Sequence, residues 1–98
     1  MDFIANGYGF EQYIANELSM VSEVESVFVE CDGDPGKGYS VITVINERDP
    51  NIREKIYARE QVIMDEFPKI DFSFSVISRM NRPLADIITP VGNPAFQR

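Results

Sequence analysis

The segment Asp49 to Pro68 most constrains the fold, because it reads as one helix lying between two strands. Asp49 offers a side-chain cap, and Pro50 fits the first helical position, where its missing N–H costs nothing. Pro68 supplies the stop. Between them Ile52, Ile56, Ile63 and Phe67 fall within about 60° on a wheel turning 100° per residue, which is the stripe of a helix with one buried face. Before it, "YSVITVIN" (39–46) is apolar at nearly every position, as expected of a central strand covered on both faces. After it, "IDFSFSVIS" (70–78) alternates, with Ile70, Phe72, Phe74 and Val76 facing one way and Asp71, Ser73, Ser75 and Ile77 the other. One wetter face marks an edge strand. A strand, a helix and a strand in that order make the two strands parallel neighbours through a right-handed crossover.

The remaining elements attach to this unit. Phe10, Ile14 and Leu18 recur every four residues, with Tyr13 and Val21 beside them, so about 9–20 is read as an amphipathic helix. Asn6-Gly7 ahead of it reads as a turn or cap. "VESVFVEC" (24–31) is β-branched and alternating, hence a strand, and a short loop makes it an antiparallel hairpin with 39–46. The expected fold is α+β, in the order α-β-β-α-β: a three-stranded mixed sheet with two helices on one face. Residues 1–79 form this single domain and residues 80–98 a C-terminal arm. Pro83 opens a helical turn or two through Ile88, and Pro90, Gly92 and Pro94 keep the rest of the arm extended.

Two glycine-rich readings of "ECDGDPGKGYS" (30–40) fail on spacing. A phosphate-binding loop needs Gly-Lys followed by Ser or Thr at a helix start, and Lys37 is followed by Gly38 and a strand. A calcium loop counted from Asp32 would need a glutamate where Thr43 stands. A hairpin turn is the simpler reading, since Asp-Gly and Pro-Gly are turn dipeptides and Lys37 offsets one acid. A metal reading stays open. The crossover returns Asp71 to the end of the sheet where Asp32 and Asp34 lie, and converging carboxylates could hold Mg²⁺ with waters and a phosphate ligand.

This Asp-x-Asp pair with a third acid on a neighbouring strand resembles the nucleotidyltransferase fold. The resemblance implies Asp32, Asp34 and Asp71 as metal ligands of a nucleotide-binding or phosphotransfer domain. Here a hairpin follows the acid pair where that fold places a helix. The run from "VITVINERDP" through "IYAREQVIMDEFPKIDFSFSVI" to "MNRP", over residues 41–83, resembles a group of small uncharacterised bacterial proteins. It implies the β-α-β unit and a bacterial cytoplasmic setting, and brings no catalytic residue or cofactor.

Charge placement narrows the partners. Residues 1–34 carry eight acids (Asp2, Glu11, Glu17, Glu23, Glu25, Glu30, Asp32, Asp34) and no lysine or arginine, within a net charge of −7. Such a potential repels phosphate backbones and disfavours nucleic acid. It reads as a solvated acidic face, or as a surface for a basic protein segment. The chain has no histidine, which excludes Ser–His and Cys–His catalysis. Cys31, the single cysteine, permits no internal disulfide; with no signal-peptide pattern and no apolar run long enough to span a bilayer, the expected location is cytoplasmic. Glu60 stands at the edge of the second helix's stripe, near Arg53 and Met64. It reads as a boundary residue reaching solvent or an arginine, with a buried catalytic carboxylate as the alternative.

The leading functional expectation is a non-enzymatic module that binds itself or another protein. Metal-dependent nucleotide binding or phosphotransfer is the alternative, and a regulatory ligand-binding domain stays open. Phe28, Ile77 and alternate residues of 41–45 are left on the sheet face away from the helices, and together they would make a large apolar patch. Leu84, Ile87, Ile88, Val91 and Phe96 are the apolar residues free to cover it. They could do so from within the same subunit, or as an interface in a homodimer whose arm, with net charge +2 over residues 79–98, crosses the acidic region of a second copy.

Overall fold

The computed structural model describes residues 7–31, 37–87 and 93–98. The elements run α1 (Gly7–Leu18), β1 (Ser26–Cys31), β2 (Gly38–Ile45), α2 (Pro50–Glu66), β3 (Asp71–Ser78), a 3₁₀ turn (Leu84–Asp86) and β4 (Phe96–Gln97). The chain is α+β with a mixed sheet, as its sequence predicts, but the sheet has four strands rather than three, in the order β3-β2-β1-β4. β1 and β2 form the antiparallel hairpin, and β2 and β3 run parallel from Gly38↔Asp71 to Ile45↔Ser78.

The extra strand comes from the end of the chain. β4 lies antiparallel to β1, Val27 opposite Phe96 and Ser26 opposite Gln97. Backbone bonds from Ala95 N to Val27 O (2.8 Å) and from Arg98 N to Glu25 O (2.9 Å) extend the pairing on both sides. The Arg98 guanidinium donates to the carbonyls of Val24, Ser19 and Val21 and stacks over the Phe96 ring. The described part of the arm is therefore docked on its own subunit.

Both helices lie on one face. The row Val27, Val29 and Cys31 of β1, Tyr39, Val41 and Ile45 of β2, and Phe72, Phe74 and Val76 of β3 meets Phe10, Ile14, Ala15 and Leu18 of α1 and Ile52, Ile56 and Ile63 of α2. Phe10 is the hub. Its ring sits 4.8 Å from those of Tyr39 and Phe67 and 6.1 Å from Phe72, tying both helices to β2 and β3. The helices run antiparallel: Tyr13 packs on Phe67, Glu17 pairs with Arg59, and Glu23 meets Lys55 nearer the start of α2. α2 begins as its sequence dictates, with the Asp49 carboxylate accepting from Asn51 N and Pro50 at the first position.

On the opposite face the expected open patch is not found. Phe28 and Val44 are buried, at 5% and 1% exposure, within the single chain. Leu84 of the 3₁₀ turn lines one cavity with Val44 on this side.

Candidate functional site

The sheet ends differently on its two sides. On the β4 side the outer strand is two residues long and anchored by Arg98. On the other side β3 is eight residues long and, among the described residues, has no strand beyond it. The direction of its peptide groups follows from three bonds. Asp71 N and Arg79 N donate to Lys37 O and Ile45 O on the β2 side, whereas Arg53 Nη1 reaches Val76 O from α2. Strand peptides alternate in direction, so the odd-numbered residues face β2. Phe72, Phe74, Val76 and Ser78 therefore turn their N–H and C=O groups to the open edge.

Natural proteins blunt such edges with lysine, proline, bulges or a covering element. β3 shows little of this. Its register with β2 is unbroken, so there is no bulge, and residues 72–78 contain no charge, proline or glycine. Among the described residues the one cover is Arg53, whose Nη1 donates to Val76 O (3.3 Å) and Nη2 to Ser78 Oγ (3.1 Å). It leaves the Phe72 and Phe74 peptide groups open.

The apolar side chains at this edge are also half-open. Phe72, Phe74 and Val76 join the core only in part, the first two stacked at 5.3 Å, while the inner strands are buried on this face at Val27, Tyr39 and Val41. Above them the flank of α2 that carries Arg53 also carries Tyr57 and Met64, which fall within about 40° of Arg53 on the wheel. Both are exposed, at 50% and 36%. The strand edge, its half-open aromatic side chains and this exposed helix flank thus lie on the same side of the molecule.

Glu60 lies at the inner border of that flank. On the wheel it falls between the buried stripe and Met64. It is 7% exposed, and its Oε2 has no hydrogen-bond partner. Its place in the sequence predicts a carboxylate in solvent or on an arginine; it is largely withdrawn from solvent, and no arginine pairs with it. Arg53 is spent on β3, and Arg59 on Glu17 and the Met20 sulfur. Burial alone raises the carboxyl to about 7.

Asp71 is exposed at the start of β3, lining a shallow cavity with Lys37, Gly38, Phe72 and Ser73. Asp32, Asp34, Ile88, Val91 and the Asn6 cap lie outside the described residues. Among the described residues no three His, Cys, Asp or Glu side chains are grouped to hold a metal ion, and no helix is long and apolar enough to cross a membrane. Leu84 and Ile87 are half-buried beside the sheet, and Phe96 belongs to β4. The alternation of residues 70–78 identifies β3 as an edge strand, but nothing local marks Tyr57 and Met64 as sharing its side of the molecule.

A cavity of about 530 Å³ lies at the other end of the strands, lined by Glu25, Ser26, Asn46, Arg79, Leu84 and Arg98 among others. Two of its charges are matched to each other: Arg79 Nε and Nη2 clasp the Glu25 carboxylate (2.6 and 3.2 Å). On its strand side the turn after β3 holds Met80 and Asn81 at φ of 48° and 65°, pinned by paired bonds between Asn46 and Asn81. These contacts stabilise the turn.

No family model matches the chain, and neither the curated proteins nor the solved structures contain a match to it.

Proposed function

We propose that this chain is a non-enzymatic self-associating module, and that its β3 edge pairs antiparallel with the β3 edge of a second copy. The observation that carries this reading is the open, uncharged edge from Phe72 to Ser78 beside the half-exposed Phe72, Phe74, Tyr57 and Met64.

A second copy fits because the strand is self-complementary. A two-fold axis at Phe74 sets Phe72 opposite Val76 and Ser73 opposite Ser75, so apolar meets apolar and hydroxyl meets hydroxyl. The residues with outward peptide groups then face one another as hydrogen-bonded pairs. Val76 O can keep Arg53 on one lone pair and accept a strand bond on the other. All helices stand on the same side of the joined sheet, bringing Tyr57 and Met64 of the two copies together above it. Strand addition of this kind draws affinity from main-chain bonds and specificity from the alternating side chains.

Sedimentation equilibrium of the wild type, Phe74→Pro and Phe74→Leu tests this. Phe74 N–H points outward, so proline removes an edge donor without removing an internal ladder bond. The wild type and Phe74→Leu are expected to dimerise at tens of micromolar, and Phe74→Pro to be a folded monomer by far-UV circular dichroism. A monomeric wild type at about 100 µM, or a dimeric Phe74→Pro, refutes the edge pairing.

A further inference from the structure

We infer that Glu60 couples this self-association to protonation: the carboxyl is neutral when two β3 edges are paired, and its ionisation favours their separation. The inference rests on the edge-pairing reading and deepens it by naming what regulates the contact.

The geometry is a lone acid in the seam under the proposed interface. Glu60 is 7% exposed, on the side of α2 that leans over β3, and its Oε2 is unpartnered. The charged and titratable groups around it offer no relief. On α2, Arg53 is held by Val76 O and Ser78 Oγ, and Arg59 by Glu17; Tyr57 is exposed on the outer flank. The helix-facing row of β3 is Phe72, Phe74 and Val76, with nothing to titrate. The corresponding row of β2 carries Tyr39 and the buried Thr43, whose Oγ1 is itself unpartnered. α1 brings Tyr13 and Glu17 along the other flank of α2, and Glu17 is committed to Arg59.

Burial alone already places this carboxyl near neutrality in one subunit. A second copy on the β3 edge would exclude more water from the seam and make the ionised form costlier still. The paired state then holds its protons more tightly than the free subunit. Below about pH 7 both states are protonated and affinity is independent of pH. Above it the free subunit ionises first, and the dissociation constant rises by up to about tenfold per pH unit for each Glu60 in the contact.

Sedimentation equilibrium at about pH 6, 7, 8 and 9, on wild type and Glu60→Gln, reads this directly. The wild-type dissociation constant is expected to be flat up to about pH 7 and to rise at least tenfold by pH 9, while Glu60→Gln dimerises with a pH-independent constant. A wild-type dimer of flat affinity, or a Glu60→Gln dimer with the wild-type slope, overturns the proton linkage and leaves edge pairing standing. A wild type monomeric at every pH overturns both. Should Glu60→Gln not fold, the carboxyl ¹³C titration of wild-type Glu60 decides: its midpoint must climb with protein concentration, and a concentration-independent midpoint refutes the coupling.

Discussion

Replacing Glu60 with glutamine should stabilise the isolated subunit, and the gain should depend on pH in a defined direction. In the unfolded chain the carboxyl titrates near 4.5; in the fold it is raised to about 7 by burial. Below about pH 4.5 it is protonated in both states and costs nothing. Between these values the unfolded chain is ionised while the folded one must keep its proton, so wild-type stability falls as pH rises. Above about 7 the loss is complete. Its size is roughly 3 kcal/mol, taking about 1.4 kcal/mol for each pH unit between the two titrations. Glutamine keeps the shape and never ionises. The variant's advantage should therefore grow from near zero at pH 4.5 to about 3 kcal/mol at pH 8, a large share of the 5–15 kcal/mol typical of a domain. Urea unfolding followed by far-UV circular dichroism, at concentrations where the protein is monomeric, gives the number. With a slope of about 1–1.5 kcal/mol per molar, the variant's midpoint at pH 8 should exceed the wild type's by about 2–3 M. An advantage that is the same at pH 5 and pH 8 refutes the reasoning, because it would mean the ionised carboxylate finds water or Arg53 at little cost.

Four further outcomes are expected. Phe10→Ala, removing the 1%-exposed ring that touches Tyr39, Phe67 and Phe72, should cost about 3–5 kcal/mol in urea unfolding; a loss under 1 kcal/mol would contradict its place as the hub. Met80→Gly relieves a side chain at φ 48° and should raise stability by up to about 1 kcal/mol, read as a higher thermal midpoint, whereas destabilisation would show that the turn is unstrained. Arg79→Met breaks the Glu25 pair, but both side chains are about one-third exposed, so the urea midpoint should barely move; a large loss would contradict the solvent screening of this pair. Two copies each carrying −7 repel at long range, so the dimer should tighten on going from 0.05 to 0.5 M NaCl; weakening with salt would point to a charge-paired interface instead.

How much of this fold is legible in the sequence depends on how local the cause is. The start of α2 is set within three residues, by the Asp49 carboxylate, Pro50 and the Asn51 amide, and is readable without the rest of the chain. The alternation of β3 is equally local, because one face is filled by Phe72, Phe74 and Val76 and the other is not. β4 is the opposite case. Phe96 and Gln97 carry no strand pattern of their own, and what makes them a strand is the free outer edge of β1, about 70 residues away in sequence. The basic arm reads as one that crosses the acidic region of a second copy, but the groups that hold Arg98 are the Ser19, Val21 and Val24 carbonyls of its own chain. For a related reason the sequence leaves Glu60 between a wet boundary residue and a buried carboxylate, and the fold buries it. A wheel position at the border of a stripe is wet or dry according to what the helix leans on, and α2 leans on the aromatic row of β3.

Amide hydrogen exchange along β3, measured by NMR at several protein concentrations, addresses the open edge more directly than any other measurement. The N–H groups of Ser73 and Ser75 point into the sheet and should be protected at every concentration. Those of Phe72 and Phe74 point outward, and should exchange quickly in dilute protein and slow as concentration rises and the second copy arrives. Rapid exchange at Phe74 that persists at hundreds of micromolar would contradict the pairing of this edge.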